Sequence, residues 1–451
     1  MDIKKNDDIK LNIEAMTSEG SAVGHYNSVA VFVRGAVPGD EIIAHVIKTS
    51  KRYCIAKIKE IIKKSPSRIE SDCSVSDKCG GCSFREMTYE EELKYKKSRV
   101  EDAVKRIGHL DVKINDVVRA DRIDGYRNKA QYPVSICEGE LFAGFYAYKS
   151  HRIIPCNNCR LQPEEFGICL EAFEKWVEKA GITSYDEKSG SGLLRHIYLR
   201  KAEATGEIMA CAVINADALP EKDYLISELT KLSAVKSVCV NINKRRDNVI
   251  LGDKTEVIFG KETIEDILLG KRFEISPASF YQVNRQQCEK LYGVAADYAD
   301  LSGNETLVDL YCGAGTIGLT MADKAKSVFG IEIVPEAIDN ARKNAEINNI
   351  NNAEFFCGDA LEGALELERR NISADTVVLD PPRKGCEAAL FDVIKRMKPE
   401  KIVYVSCDSA TLARDLAILG EKGYTAKEIT PVDMFPRTPH IEAVALIERG
   451  F

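Results

Sequence analysis

What most restricts this chain is a series of short, wholly apolar runs that each end in a polar or turn residue. Thr306-Leu307-Val308-Asp309-Leu310 passes into Tyr311-Cys312-Gly313-Ala314-Gly315-Thr316-Ile317-Gly318, which reads as a strand, a glycine turn and a helix start. Ser327-Val328-Phe329-Gly330-Ile331-Glu332 is a second strand, closed by an acid. Thr376-Val377-Val378-Leu379-Asp380 and Val403-Tyr404-Val405-Ser406-Cys407-Asp408 continue the series. Runs of this length and composition are typical of strands covered on both faces. The region from about 271 to 451 therefore predicts a doubly wound parallel sheet. Open sheets of this kind bind ligands at the carboxyl ends of their strands, where Cys407 lies.

Gly313-x-Gly315-x-x-Gly318, with Glu332 nineteen residues after Gly313, matches the dinucleotide fingerprint and makes an oxidoreductase a fair rival. A glycine turn and a ribose-binding acid serve S-adenosylmethionine equally well. Two later features separate the readings. Asp380-Pro381-Pro382-Arg383 follows a strand, and its prolines fix the loop so that the carboxylate points at a cofactor or a base edge. Cys407 then supplies a thiol that hydride transfer does not need. Methylation of a pyrimidine carbon does need one: C5 of uracil is a poor nucleophile until a thiolate adds to C6 and drives electron density onto C5. A base must afterwards remove the C5 proton so that the thiol can leave. Glu442, Asp433 and His440 are the candidates for that base, and Glu442 heads the apolar run Ala443-Val444-Ala445-Leu446-Ile447. An antiparallel last strand would carry it to the same end of the sheet.

Upstream, residues 1–61 alternate period-two runs (Ile9 to Ile13, Val29 to Val33, Glu41 to Val46) with turns at Glu19-Gly20 and Pro38-Gly39-Asp40, which predicts a small closed β-barrel. The net charge of −7 does not suggest a nucleic-acid binder, yet eight basic residues and one acid, Glu60, lie between Lys48 and Ile69. Such a run can contact phosphates or form a solvated face. No apolar run reaches membrane-spanning length, and the first eight residues lack the apolar segment of a signal peptide, so a cytoplasmic location without membrane contact is expected. Fifteen cysteines in that setting are not a disulfide framework, and clustered ones point to metal or catalysis. Cys73, Cys79 and Cys82 cluster, with Gly80-Gly81 between the last two. A fourth thiol must come from Cys156 or Cys159. The uneven spacing suits an iron–sulfur centre, which needs close backbone approach, more than a zinc ribbon. A long charged helix, about 89–107, reads as scaffold. Residues 110–270 read as mixed α/β, with Tyr126-Arg127-Asn128-Lys129-Ala130-Gln131-Tyr132 and Leu194-Arg195-His196-Ile197-Tyr198-Leu199-Arg200 as RNA surface or exposed strand, and Trp176 as core.

These motifs resemble known proteins in two respects. Glu19-Gly20-Ser21-Ala22-Val23-Gly24, Val31-Phe32-Val33 and Val37-Pro38-Gly39-Asp40 resemble a TRAM domain, an RNA-binding barrel. Over essentially its whole length the chain resembles the RNA uracil-5-methyltransferases, most of all the bacterial 23S ribosomal RNA branch. The resemblance implies three domains: a TRAM barrel at 1–61, a central RNA-binding domain with a [4Fe-4S] site at 62–270, and a Rossmann-like, S-adenosylmethionine-dependent catalytic domain at 271–451. It implies that Gln282, Tyr311, Glu332 and Asp380 contact the cofactor, with Gly313 in its loop. It makes Cys407 the nucleophile, Glu442 the C5 proton acceptor, and Cys73, Cys79, Cys82 and Cys159 the cluster ligands. Cys159 is preferred to Cys156 because Cys159-Arg160-Leu161-Gln162 better matches the family's context. The family shows Cys-Asn-Pro where this chain has Cys407-Asp408-Ser409, which leaves the shape of that loop open. The implied protein is a monomer acting on RNA and not DNA. A transfer RNA enzyme is the alternative substrate class, disfavoured because that branch is expected to lack barrel and cluster; a non-catalytic RNA-binding assembly factor is the alternative outside catalysis.

Overall fold

A computed structural model describes residues 3–450. The amino-terminal strands form a six-stranded sheet in the order Asp8–Asn12, Glu41–Thr49, Tyr53–Lys63, Val29–Arg34, Ala22–Tyr26, Ala15–Met16. Neighbours are antiparallel except Val29–Arg34 with Tyr53–Lys63. The period-two pattern puts Ile9, Leu11, Val31, Val33, Ile42, Ala44 and Val46 into one core and leaves lysines outside. Arg68 departs from the basic run: its guanidinium is buried against Asp40 and Glu86 and fastens the end of this unit.

The central sheet has seven strands in the order Ile153–Pro155, Glu140–Tyr146, Lys129–Cys137, Leu194–Lys201, Ile208–Ile214, Val235–Ile242, Lys254–Gly260. Helix Glu164–Ala180 covers it, and Trp176 is buried there, its indole N–H donating to Pro220 O at 2.9 Å.

The carboxyl-terminal sheet has eight strands in the order Ala353–Cys357, Ser327–Glu332, Thr306–Leu310, Thr376–Leu379, Lys401–Ser406, Glu442–Arg449, Tyr424–Val432, Lys113–Ile114. The first five are parallel, and Glu442–Arg449 runs antiparallel to both neighbours. Strand order reverses between Thr306–Leu310 and Thr376–Leu379, which opens a crevice above their carboxyl ends.

A boundary at 270/271 does not divide the packing. Helix Tyr89–Arg106 sets Val100, Ala103 and Val104 into the same core as Leu412, Ala413 and Leu416, and Lys113–Ile114 adds a parallel strand to the carboxyl-terminal sheet. The apolar stripe that does this is narrow and lies on a helix otherwise dominated by charge. For that reason the helix reads from sequence as solvated scaffold.

Candidate active site

The glycine turn begins strained. Tyr311 takes φ +72°, a left-handed conformation costing on the order of 1 kcal/mol for a non-glycine residue. Gly313 and Gly315 follow at φ +55° and +79°. Beneath the turn, buried Asp309 accepts the Gly318 N–H at 2.9 Å, while its second oxygen has no partner. Burial pushes its pKa up to about 7, aided by Asp380 and Glu332. A Cβ on Gly318 would lie 3.0 Å from Asp309 Oδ2 and 3.1 Å from Val328 Cγ1, so glycine lets the helix start close against the strand. A Cβ on Gly313 would meet no protein atom within 4 Å; the space above the turn is free for a ligand.

Glu332, at the end of the neighbouring strand, accepts the Gly313 N–H at 3.2 Å and the Val334 N–H at 2.9 Å. Its carboxylate is thus held at the rim of the turn, where a nucleoside's hydroxyls would lie. Gln282 lies just before Asn284, which caps helix Arg285–Ala299, and its main-chain oxygen accepts from Asn128 Nδ2 at 3.0 Å. Phe280, 69% exposed, and Ile333, 63% exposed, leave apolar surface uncovered beside these residues. Sequence reasoning passed over both, although an aromatic and an isoleucine flanking polar site residues were visible signals.

Asp380 follows strand Thr376–Leu379 directly, and its N–H reaches Leu310 O at 3.4 Å, so it stands at the switch point. Part of its surface is open to the crevice, yet removal of its carboxyl from bulk water raises the pKa to about 7. The following loop is clasped to helix Ser409–Glu421: Thr411 Oγ1 donates to Arg383 O at 2.9 Å, and Arg414 to Lys384 O at 2.9 Å.

Cys407 leaves strand Lys401–Ser406 half-buried rather than sealed in the core. Asp408 is the N-cap of the next helix, its carboxylate accepting the N–H groups of Ala410 and Thr411 at 3.0 and 2.9 Å. Aspartate is a strong N-cap residue, so the turn closes without a proline. Burial pushes the Cys407 thiol up to about 11; Glu442 and Asp380 add to this, and Arg383 opposes it.

Glu442 opens the last strand, 6% exposed, with its pKa raised well above the carboxylate range by burial and then by Asp380, against Arg383. The other two candidates for the base differ from it. Asp433 is fully buried, bonded to Lys96 at 2.6 Å and to Tyr89 at 2.7 Å. His440 is exposed, yet its pKa is lowered to about 4, first by desolvation of the ring and then by Arg383 and Arg99. Cys407, Asp380, Glu442 and Arg383 thus share one electrostatic neighbourhood above three adjacent strands.

The cysteine-rich loop is folded against the central sheet. Gly80 N–H donates to Tyr146 O at 2.9 Å, and a Cβ there would lie 2.8 Å from that oxygen. Cys73, Cys79, Cys82 and Cys159 are close enough to influence one another's ionisation; burial, then Cys159, pushes Cys82 up to about 12. Cys159 is lowered to about 7, first by a hydrogen bond from the Cys156 thiol and then by the Leu161 and Gln162 amides. Among the described residues no three histidine, cysteine, aspartate or glutamate side chains close on one point as metal ligands. The thiols are gathered but not focused.

A glycine turn, an acid at its rim and a thiol at the carboxyl ends of a doubly wound sheet are the parts that a nucleoside-cofactor transferase requires. Comparison with known proteins narrows this. The family model described as tRNA (Uracil-5-)-methyltransferase matches residues 88–450. A protein of Listeria innocua described as an uncharacterized RNA methyltransferase is 45% identical over 99% of this chain and 98% of its own length. Another of that description, from Clostridium tetani, is 44% identical over 99% and 97%. The solved tRNA (uracil-54, C5)-methyltransferase of Pyrococcus abyssi, in complex with S-adenosyl-L-homocysteine, superposes with a TM-score of 0.78 at 29% identity, covering 97% of this chain and 100% of that one. The chain belongs to the RNA uracil-5-methyltransferase family and is an S-adenosylmethionine-dependent RNA methyltransferase. No helix among the described residues is long and apolar enough to cross a membrane.

Proposed function

We propose that this enzyme methylates C5 of a uridine in 23S ribosomal RNA through a temporary bond from Cys407 to C6. The observation that supports it best is the placement of a half-buried thiol and a buried carboxyl group at adjoining strand ends beside Asp380. Cys407 loses its proton to solvent, and its thiolate adds to C6; the C5–C6 π pair moves toward O4, and the resulting enolate is nucleophilic at C5. When bound, S-adenosylmethionine supplies an electrophilic methyl group, whose bond to sulfur breaks as the C5–methyl bond forms. Glu442, having given its own proton to solvent, takes the C5 proton as carboxylate; the C5–C6 double bond returns, and the Cys407–C6 bond breaks to release thiolate. Arg383 neutralises part of the surrounding negative charge and can hold a uracil oxygen or a phosphate. Gln282, Tyr311, Gly313, Glu332 and Asp380 hold the cofactor; the open space over Gly313 and the fixed carboxylate of Glu332 fit a nucleoside.

Cys73, Cys79, Cys82 and Cys159 would hold a [4Fe-4S] cluster of structural role. All four are thiols, drawn from two loops, and the glycines between Cys79 and Cys82 allow close approach. The six-stranded unit, Asp8 to Lys63, acts in this reading as the TRAM barrel, presenting the lysines between 48 and 64 to RNA phosphates.

Transfer RNA is the second reading. The Pyrococcus abyssi protein is named for a transfer RNA uridine and matches nearly the full length of this chain, so possession of the amino-terminal regions does not discriminate between substrates. One experiment tests both: incubation with S-adenosylmethionine and either 23S ribosomal RNA or transfer RNA carrying 5-fluorouridine. Fluorine cannot leave as a proton, so a covalent complex accumulates on the true substrate and disappears with Cys407→Ala. No complex on either RNA ends the mechanism; a complex on transfer RNA alone moves the substrate.

A further inference from the structure

The segment that delivers Glu442 is a nine-residue loop, 433–441, joining strands Tyr424–Val432 and Glu442–Arg449. Its two ends are tied together, because Val432 and Glu442 are register partners. Its interior is held from elsewhere in the chain. Asp433 Oδ1 accepts from Lys96 Nζ at 2.6 Å and Oδ2 from Tyr89 Oη at 2.7 Å. Lys96 also donates to Glu92 Oε1 at 2.7 Å and to Phe435 O at 3.2 Å. Glu92 in turn accepts the N–H of Arg437, whose φ is +68°. Gln287 and Asn284 hold the oxygens of Asp433 and Met434 at 3.0 and 3.1 Å. The side chains of Lys96, Glu92 and Asp433 are 0% exposed.

Two buried anions, Glu92 and Asp433, thus face two cations, Lys96 and Arg437. Burying such a group is a poor route to stability, since well-packed apolar residues do as well or better. What it supplies is direction: each charge accepts only one arrangement of its neighbours. Helix Tyr89–Arg106 carries Glu92 and Lys96 one turn apart and is anchored under helix Ser409–Glu421, which begins beside Cys407. The reference frame that holds the base is therefore also packed against the helix that follows the nucleophile.

We propose that Lys96, acting through Asp433, Glu92 and the 433–441 loop, is a positioning residue for Glu442 and governs the proton-removal step. This rests on the reading of Glu442 as the C5 base. Loss of the positioning slows loss of the C5 proton and leaves the addition of Cys407 to C6 and the transfer of methyl unaffected. The methylated adduct then outlives its formation.

The test uses Lys96→Met combined with Asp433→Asn, which removes one charge of each sign and leaves no buried ion unpaired. Ordinary uridine RNA and S-adenosylmethionine are supplied, and turnover is quenched in denaturant to count protein–RNA adducts. Expected are a KM for RNA within about twofold of the parent, a kcat lower by about tenfold or more, and an adduct fraction severalfold above the parent. Lys96→Arg should restore part of the kcat. A kcat that falls only with the folded fraction, at a parental adduct level, overturns the proposal, as does an unchanged kcat. Should the double variant not fold, Tyr89→Phe, which removes no charge but loses both the bond to Asp433 and the one accepted from the Ala120 N–H at 2.8 Å, is read by the same partition with a smaller expected change. Failure of the underlying reading shows differently: Glu442→Gln would then accumulate no more adduct on ordinary uridine RNA than the parent.

Discussion

Ser406 pairs with Ala443 across two antiparallel strands, so Cys407, one residue after the first, and Glu442, one residue before the second, emerge side by side. The proposed nucleophile and base are 35 positions apart in sequence and adjacent in space because a single strand at this edge reverses direction. All other strand ends that carry site residues, those of Tyr311, Glu332, Asp380 and Cys407, belong to the parallel set. The reversed strand offers its beginning where those offer their ends.

Glu442→Gln should preserve Cys407 addition and methyl transfer but block loss of the C5 proton. Denaturing gels should show stable protein–RNA adducts with unmodified uridine, and kcat should fall by about 10²-fold or more, typical of removing a general base. Cys407→Ala should show no adduct and no turnover. An adduct level in Glu442→Gln no higher than in the parent would remove Glu442 from the role of base.

The rate of adduct formation should rise with pH across the neutral range. The Cys407 thiol, pushed up to about 11, is mostly protonated at pH 7, and only its thiolate adds to C6. Each unit of rising pH below that value should increase the thiolate about tenfold in the free enzyme, and substrate binding or Arg383 can only reduce this slope. Single-turnover adduct formation between pH 6 and 9 measures it. Arg383→Gln should lower the rate at fixed pH, because the one charge that favours the thiolate is gone.

Asp309 makes stability fall with rising pH. Its pKa is about 7 in the fold against about 3.9 in an unfolded chain, so the folded state binds the extra proton between those values. The neutral acid fits the site fully below about pH 4, and that advantage is lost as pH rises through 7. Asp309→Asn keeps an oxygen for the Gly318 N–H and cannot ionise. Its melting temperature should exceed the parent's by more at pH 8 than at pH 5, and an equal difference at both would exclude Asp309 as the cause.

Gly313→Ala and Gly318→Ala should separate cofactor space from protein packing. At Gly313 the added Cβ meets no protein atom but enters the open space above the turn, and φ +55° adds strain of about 1 kcal/mol. Calorimetry should show S-adenosylhomocysteine affinity falling more than this strain alone requires, about fivefold. At Gly318 the Cβ meets Asp309 and Val328, so the melting temperature should fall as well.

If the four cysteines hold the proposed cluster, Cys82→Ser should lower the iron and sulfide content of purified protein and its melting temperature. The effect should reach the 433–441 loop, since Ser83 and Phe84 donate their N–H groups to Arg437 O at 3.0 and 3.2 Å. Cys156→Ser should keep its iron and Cys159→Ser should lose it. The opposite result would exchange the fourth ligand.

Much of the catalytic half could be read from its letters. Uniformly apolar runs signal strands covered on both faces, and the glycine turn, Glu332, Asp380 and Cys407 close those runs one after another; these are local signals, carried by a few consecutive residues. Trp176 was legible as core for the same reason. The long-range arrangements were not. Nothing in Tyr89–Arg106 announces that Glu92 and Lys96 meet Asp433 some 340 positions later, because charge on a helix usually means solvent. Nor does any local pattern reveal that Tyr311 takes positive φ, that Asp309 keeps an unpaired buried oxygen, or that Lys113–Ile114 leaves its neighbours for another sheet. Sequence alone determined which residues can do chemistry, because reactivity belongs to side-chain type and strand ends are marked by composition. Tertiary structure decided which of them meet and how strongly each holds its proton, because register, burial and neighbouring charge exist only once distant segments are packed together.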